Sequence, residues 1–325
     1  MGTPAKKYYA MEMDLVYITF GLVLLYYGGD ILISGCLQIA HHFKIPHFII
    51  GATIMGFGTS APELCVSILA ALRGAPELAI GNVLGSNVAN IGLVLGISAL
   101  LAPIVITPKR FKKEAPPLIF ATLLFLLFAW DLALNRWEGL VMVAGIILYV
   151  GRAIINREDP HPESEEEEVS KYFANRGIPV QVALIIVGLV GLVLGADWMV
   201  KGSVNVARAF GVNEWLIGIT IVAVGTSLPE IASSTMAAYR GHGEMALGNI
   251  FGSNIFNIMM VLGVTSVIRP MQITEPIVPD LLICAGITGL LLIQIQLKHK
   301  LNKADGVILL VAYFSYIVMK SSGVL

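Results

Sequence analysis

The sequence predicts an all-α membrane protein: ten transmembrane helices, built as two inverted-topology five-helix repeats. Three observations carry that prediction. The 325-residue chain is 56% hydrophobic and only 13% charged, where ordinary soluble chains carry about 25% charge. Its apolar residues fall in ten continuous runs, near 14–34, 42–72, 77–103, 115–131, 137–155, 180–203, 209–239, 244–268, 277–297 and 303–322. Residues 51–103 also align with 218–270 without gaps at an offset of 167, with about half the positions identical.

Each run can be justified in turn. Lys6 and Lys7 precede the first, and no small-residue cleavage pattern follows it, so it reads as a spanning helix and not as a removed signal. The runs are continuously apolar and do not alternate with period two, which excludes a membrane β-barrel. The second and third runs carry the first copy of the repeat, and the seventh and eighth carry the second. Between runs five and six lies the longest polar stretch, with Pro160, Pro162, Glu163 and Glu165 to Glu168. A block of like charge marks a solvated linker. The domains are therefore 1–155, a linker 156–179, and 180–325. The same offset pairs Gly28 with Gly195, Asp30 with Asp197 and Gly35 with Gly202.

Five helices per repeat is an odd number. The second repeat must enter the membrane the other way up, and the two are related by a pseudo-two-fold axis in the membrane plane. That plan belongs to secondary transporters, whose site lies near the midplane between the repeats. With the N-terminus outside, the inner loops collect 13 of the 21 basic residues. The positive-inside rule then puts both termini outside and the 156–179 loop inside.

Composition excludes other classes. A formal net charge of −1 offers no basic field for nucleic acid. Cys36, Cys65 and Cys284 sit in apolar stretches without CxxC spacing and read as packing residues. His41, His42 and His47 read as interfacial polar residues of the first inner loop. A serine hydrolase would need a His or Lys base at membrane depth, and no repeat segment supplies one.

The chemistry lies in the repeats. Glu63 of GTSAPE and Glu230 of GTSLPE are carboxylates inside apolar spans. Such a residue costs about 2.5–3.5 kcal/mol at the bilayer centre, and no basic residue stands nearby in either span to neutralise it. Pro62 and Pro229 lack the amide that would satisfy the carbonyls of Gly58 and Gly225. They are read as kinks that also push aside the carbonyls of Thr59 and Thr226, which is tolerable at membrane depth only beside a cavity. The second element, GNVLGSNVAN and GNIFGSNIFN, brings Asn82, Ser86, Asn87 and Asn90, and Asn249, Ser253, Asn254 and Asn257. Gly81 with Gly85, and Gly248 with Gly252, form GxxxG pairs suited to close helix approach. Glu77 and Glu244 suit helix starts. Asp30 and Asp197 read as packing or outer groups.

Two bidentate glutamates and two threonine carbonyls give six oxygens. Calcium takes six to eight. Sodium could use the same carboxylates with Ser, Thr and Asn oxygens. No His or Cys cluster accompanies them, which argues against zinc or copper.

GTSAPE with GSNVANI, repeated as GTSLPE with GSNIFNI, resembles the paired repeats of the calcium/cation antiporter superfamily, and most of all its microbial sodium/calcium exchangers. The resemblance covers essentially the whole chain. It implies antiport of sodium against calcium by alternating access in the plasma membrane of a microbe, with no enzyme activity, no cofactor and no obligate protein partner. It implies Glu63 and Glu230 as shared calcium and sodium ligands, with carbonyls and hydroxyls of Thr59 and Thr226. Ser60, Ser86, Ser227 and Ser253 would line flanking sodium sites, with the carbonyls of Gly56 and Ala223. Asn90 would be the central amide and Asn257 its counterpart. Some members, potassium-dependent exchangers among them, carry Asp at the latter position. Asn257 therefore argues against potassium co-transport and leaves two central carboxylates instead of three. A calcium/proton exchanger using the same glutamates is the alternative.

Overall fold

The computed structural model describes residues 4–155, 177–211, 223–273 and 277–322. The chain opens with α1 (Pro4–Phe43), a single 40-residue helix. The second run is not one helix. It is α2 (His47–Ile50), a wide π turn over Gly51–Met55, α3 (Gly56–Thr59) and α4 (Ala61–Leu72). The third run is α5 (Pro76–Ala89), a π turn over Asn90–Leu95 and α6 (Gly96–Leu101). Then follow α7 (Pro108–Phe128) and α8 (Arg136–Ile155). The other side of the linker brings α9 (Ile178–Ala209), α10 (Ala223–Gly225) and α11 (Leu228–Tyr239). Next come α12 (Gly243–Phe256), a π turn over Asn257–Leu262 and α13 (Gly263–Ile268). Helices α14 (Val278–Lys298) and α15 (Lys303–Ser321) complete it.

Among the described residues, nine helical stretches are long and apolar enough to span a membrane. They coincide with nine of the ten expected runs. The remaining run, 209–239, includes residues 212–222, which lie outside the described residues. The linker expectation at 156–178 falls almost wholly outside them too. Three helices are longer than expected, among them α9, which runs to Ala209 where 203 was expected. Helix α1 runs on through His41 and His42, so these two are helical and not part of a loop. Helix α7 begins at Pro108, adding a polar turn through Lys113 and absorbing Pro116 and Pro117.

The offset of 167 reappears in three dimensions. Strand β1 (Ile104–Val105) pairs antiparallel with β4 (Lys300–Leu301), and β2 (Ala133–Leu134) pairs with β3 (Met271–Gln272). Each pairing joins residues before the linker to residues after it. Helix α8 packs on α13, and α15 packs on α6. A Cβ on Gly139 would sit 2.6 Å from the Gly263 carbonyl, and one on Gly306 2.7 Å from the Gly96 carbonyl. These are the same contact made twice, and only glycine permits it.

Helices α1 and α9 lie along each other on the outside of this core. Their contact is lined by Gly21, Gly28 and Gly35 on one and Gly188, Gly195 and Gly202 on the other. Close backbone approach through small residues is the usual device for packing helices in lipid. The outer belt, from Leu123 and Leu127 to Ile147, Leu148 and Val318, is exposed and apolar. Trp130 and Trp137 stand exposed at the α7–α8 turn, where aromatic rings meet the membrane interface.

One pair breaks the symmetry. Asp30 on α1 forms an ion pair of 2.7 Å with Arg240, at the end of α11. Its counterpart Asp197 binds Lys201 on its own helix instead. Arg73, the counterpart of Arg240, is exposed and makes no ion pair among the described residues. Cys36 and Cys284 are buried, as packing residues should be, whereas Cys65 is exposed; none is bonded to another.

Candidate cation site

Pro62 and Pro229 do something different from kinking a helix. The second run breaks at Ser60, whose ψ of −1° ends α3. Pro62 then occupies the first turn of α4, and Pro229 the first turn of α11. There the missing N–H has no intrahelical acceptor to lose. Glu63 and Glu230 consequently fall in the first turn of their helices, where free backbone amides and the helix dipole favour a carboxylate or an anion-rich site.

Both glutamates are fully buried, and Glu230 lies within electrostatic reach of Glu63. All four carboxylate oxygens lack a hydrogen-bond partner. Ser86 Oγ, Ser227 Oγ, Asn90 Oδ1 and Asn257 Oδ1 are likewise buried and unpartnered. The Ser86 hydroxyl neighbours Glu63, and the Thr59 hydroxyl neighbours Glu230. Buried polar atoms are almost always satisfied in native folds, and here eight oxygens on the two repeated motifs are left without a partner. Among the described residues no group of three or more His, Cys, Asp or Glu gathers elsewhere.

The remaining expected residues are partly engaged. Thr59 Oγ1 donates to the Met55 carbonyl at 3.1 Å and stands 3.1 Å from Ser253 Oγ. Ser60 Oγ donates to the Ser253 carbonyl at 3.5 Å. Gly56 backs onto the Ser253 amide. Thr226 lies between α10 and α11, and Ala223 starts α10. The structure thus brings the Thr59, Ser60 and Gly56 stretch against Ser253, across the two repeats.

Other residues of the motifs hold the frame. Asn82 Nδ2 donates to the Glu63 carbonyl at 3.3 Å and to Ser67 Oγ at 3.0 Å. Asn249 Nδ2 donates to Ser233 Oγ at 3.2 Å and Ser234 Oγ at 2.8 Å. Ser67, Ser233 and Ser234 were not among the expected site residues. The signal for two of them was available, since Ser67 and Ser234 match at the repeat offset. Gly248 and Gly252 do meet a neighbour, the backbone of Phe48 and Ala52. Gly81 and Gly85 meet none among the described residues.

The chain is similar to known proteins along its length. The family described as sodium/calcium exchanger protein matches residues 13–155 and again 180–321. The putative antiporter CaxA of Alkalimonas amylolytica is 38% identical, over 94% of this chain and 98% of its own. The sodium/calcium exchanger MaX1 of Methanosarcina acetivorans is 30% identical, over 95% and 99%. A solved structure of the sodium-calcium exchanger NCX_Mj superposes with a TM-score of 0.82 at 32% identity, covering 94% of this chain and 98% of that one. With both halves of the chain matched, this chain belongs to the sodium/calcium exchanger family of membrane antiporters.

Proposed function

We propose that the protein exchanges sodium for calcium by alternating access at the Glu63–Glu230 site. The observation that carries this reading is the set of eight buried, unpartnered oxygens. Calcium takes six to eight oxygens, and two carboxylates cancel one divalent charge. Sodium ions can occupy the same carboxylates together with Ser86, Ser227 and the threonine and serine hydroxyls around Thr59, Ser60, Thr226 and Ser253. The carbonyls of Gly56 and Ala223 flank those positions. Competition for shared ligands is what couples the two fluxes.

The cost of an empty site enforces the coupling. Two carboxylates buried without counter-ion or hydrogen bond are expensive. A loaded site is neutral and free to switch, while an empty one resists switching and suppresses leak. In this reading the halves 1–155 and 180–325 are ten helices in inverted topology, joined by the 156–179 linker, with both termini outside a microbial plasma membrane. Helices α1 and α9 are the moving elements. Their glycine-lined contact and position outside the core support that assignment. Asn257 keeps the central carboxylates at two, which supports independence from potassium.

The test is calcium uptake into proteoliposomes loaded with sodium, against vesicles loaded with potassium, each with and without a pH gradient. Uptake driven by the outward sodium gradient alone is the expected result. Uptake driven only by the pH gradient would replace sodium coupling with proton coupling at the same glutamates.

A further inference from the structure

The orphaned oxygens of Asn90 and Asn257 pose a problem of polarity. A primary amide has two ends of nearly equal size, one an acceptor and one a donor. Only the oxygen end can face a cation. Something must prevent the group from turning over, and the glutamates cannot do so, since a carboxylate accepts hydrogen bonds and would attract the NH2 end.

The hydrogen bonds around these residues answer the problem. Asn90 Nδ2 donates to Asn254 Oδ1 at 3.1 Å, and Asn257 Nδ2 donates to Asn87 Oδ1 at 3.1 Å. The second pair of amides is itself fixed. Asn254 Nδ2 donates to the Asn87 carbonyl and Asn87 Nδ2 to the Asn254 carbonyl, both at 3.3 Å. A backbone carbonyl only accepts, so it dictates which end of its amide partner faces it. That choice leaves Oδ1 of Asn254 facing Asn90, which in turn leaves Oδ1 of Asn90 facing away. The polarity is transmitted from a backbone atom that cannot flip to an oxygen with no protein partner. All four residues are buried, so water does not compete for these bonds.

We infer that Asn87 and Asn254 are positioning residues for cation binding, each fixing the amide orientation of the ligand in the opposite repeat: Asn254 that of Asn90, and Asn87 that of Asn257. The two relays run independently. Asn87 receives nothing from the Asn254 side chain that sets its own polarity, because it is anchored on the Asn254 backbone. Neither residue needs to touch the ion. The inference rests on the reading of Glu63 and Glu230 as cation ligands.

The experiment is a calcium titration of the purified full chain in detergent, read by calorimetry, with thermal unfolding recorded alongside. Asn254→Leu keeps the number and branching of the side-chain heavy atoms and removes the acceptor for Asn90. It should weaken calcium binding about 3- to 10-fold, the worth of one oriented polar contact. The decisive arm is the pattern of coupling. Asn254→Leu should add nothing to the loss caused by Asn90→Ala, and should multiply the loss caused by Asn257→Ala. A packing role predicts multiplication in both backgrounds, and that result, or unchanged affinity in Asn254→Leu, overturns the inference. Should Asn254→Leu fail to fold, Asn87→Leu carries the same test with Asn257 and Asn90 exchanged. Glu230→Gln is titrated in parallel. If it binds calcium like the unaltered protein, the ligand reading itself is wrong, an outcome distinct from a failed coupling pattern.

Discussion

The hydroxyls of Thr59 and Ser253 meet at 3.1 Å, and they come from different motifs in different repeats. Thr59 belongs to the broken second run and Ser253 to the helix that crosses beside it. This contact, with Ser60 reaching the Ser253 carbonyl, seals the first motif against the second repeat. Ser253→Ala should leave Thr59 its bond to the Met55 carbonyl and remove one of the hydroxyls proposed to serve sodium. Sodium half-saturation in proteoliposome exchange is expected to rise about 3- to 10-fold with calcium affinity changed less. An equal change in both ions would count against a sodium-side role for this serine.

Neutralising the glutamates should separate stability from binding. Glu63→Gln and Glu230→Gln remove a buried charge that has no partner without a cation. Each should abolish exchange. Calcium at 100 times its dissociation constant should stabilise the unaltered protein by about 2.7 kcal/mol, seen as a raised unfolding temperature. The variants should lose that gain while unfolding no earlier than the unaltered protein without calcium.

His242 should give the protein an acid limb. It precedes α12, outside the spans, with its ring 5.2 Å from that of His47. Burial, then the neighbouring His47 and Arg240, push its pKa down to about 4. The folded form therefore binds its proton later than the unfolded form, whose histidine titrates near 6.5. Stability is full above about pH 6.5 and falls as pH drops toward 4, by on the order of 1–3 kcal/mol. Unfolding temperatures between pH 7.5 and 4.5 should show this slope, and His242→Gln should flatten it.

The asymmetric ion pair makes a paired prediction. Asp30→Asn removes a bond between two elements, Asp197→Asn only one within a helix. The first should lower stability by about 0.5–1 kcal/mol and the second by less, since both groups are partly exposed. Thermal unfolding of the two variants side by side decides it.

Much of the fold was legible because lipid imposes a simple rule. Nine described spans lie where the apolar runs predicted, and the repeat offset reappears in the matched strand pairings and glycine contacts. The polar ends of helices were not legible: Lys109 to Lys113 lower the local hydropathy, yet they continue α7. The break at Ser60 was misplaced for a related reason. Proline was read as bending a continuous helix, whereas it starts a new one. In the site, the glutamates, Ser86 and the two amides stood out as polar groups in apolar surroundings. The roles of Asn87 and Asn254 did not, because a hydrogen bond between repeats depends on the crossing of helices, which no local pattern encodes.

The crossed strands and glycine contacts bear on how the chain can be divided. Ile104 is tied to Leu301 and Leu134 to Met271, while Gly139 rests on Gly263 and Gly306 on Gly96. Every one of these ties spans the linker. A cut between residues 155 and 177 should therefore yield two fragments that survive only together. Co-expressed, they should assemble into one exchange-competent particle. Expressed singly, each would present an unmatched seam of backbone and glycine to the lipid, and the cell should clear it. The covalent link between them then serves to keep the two pieces in equal number and near each other, and the interlock does the rest.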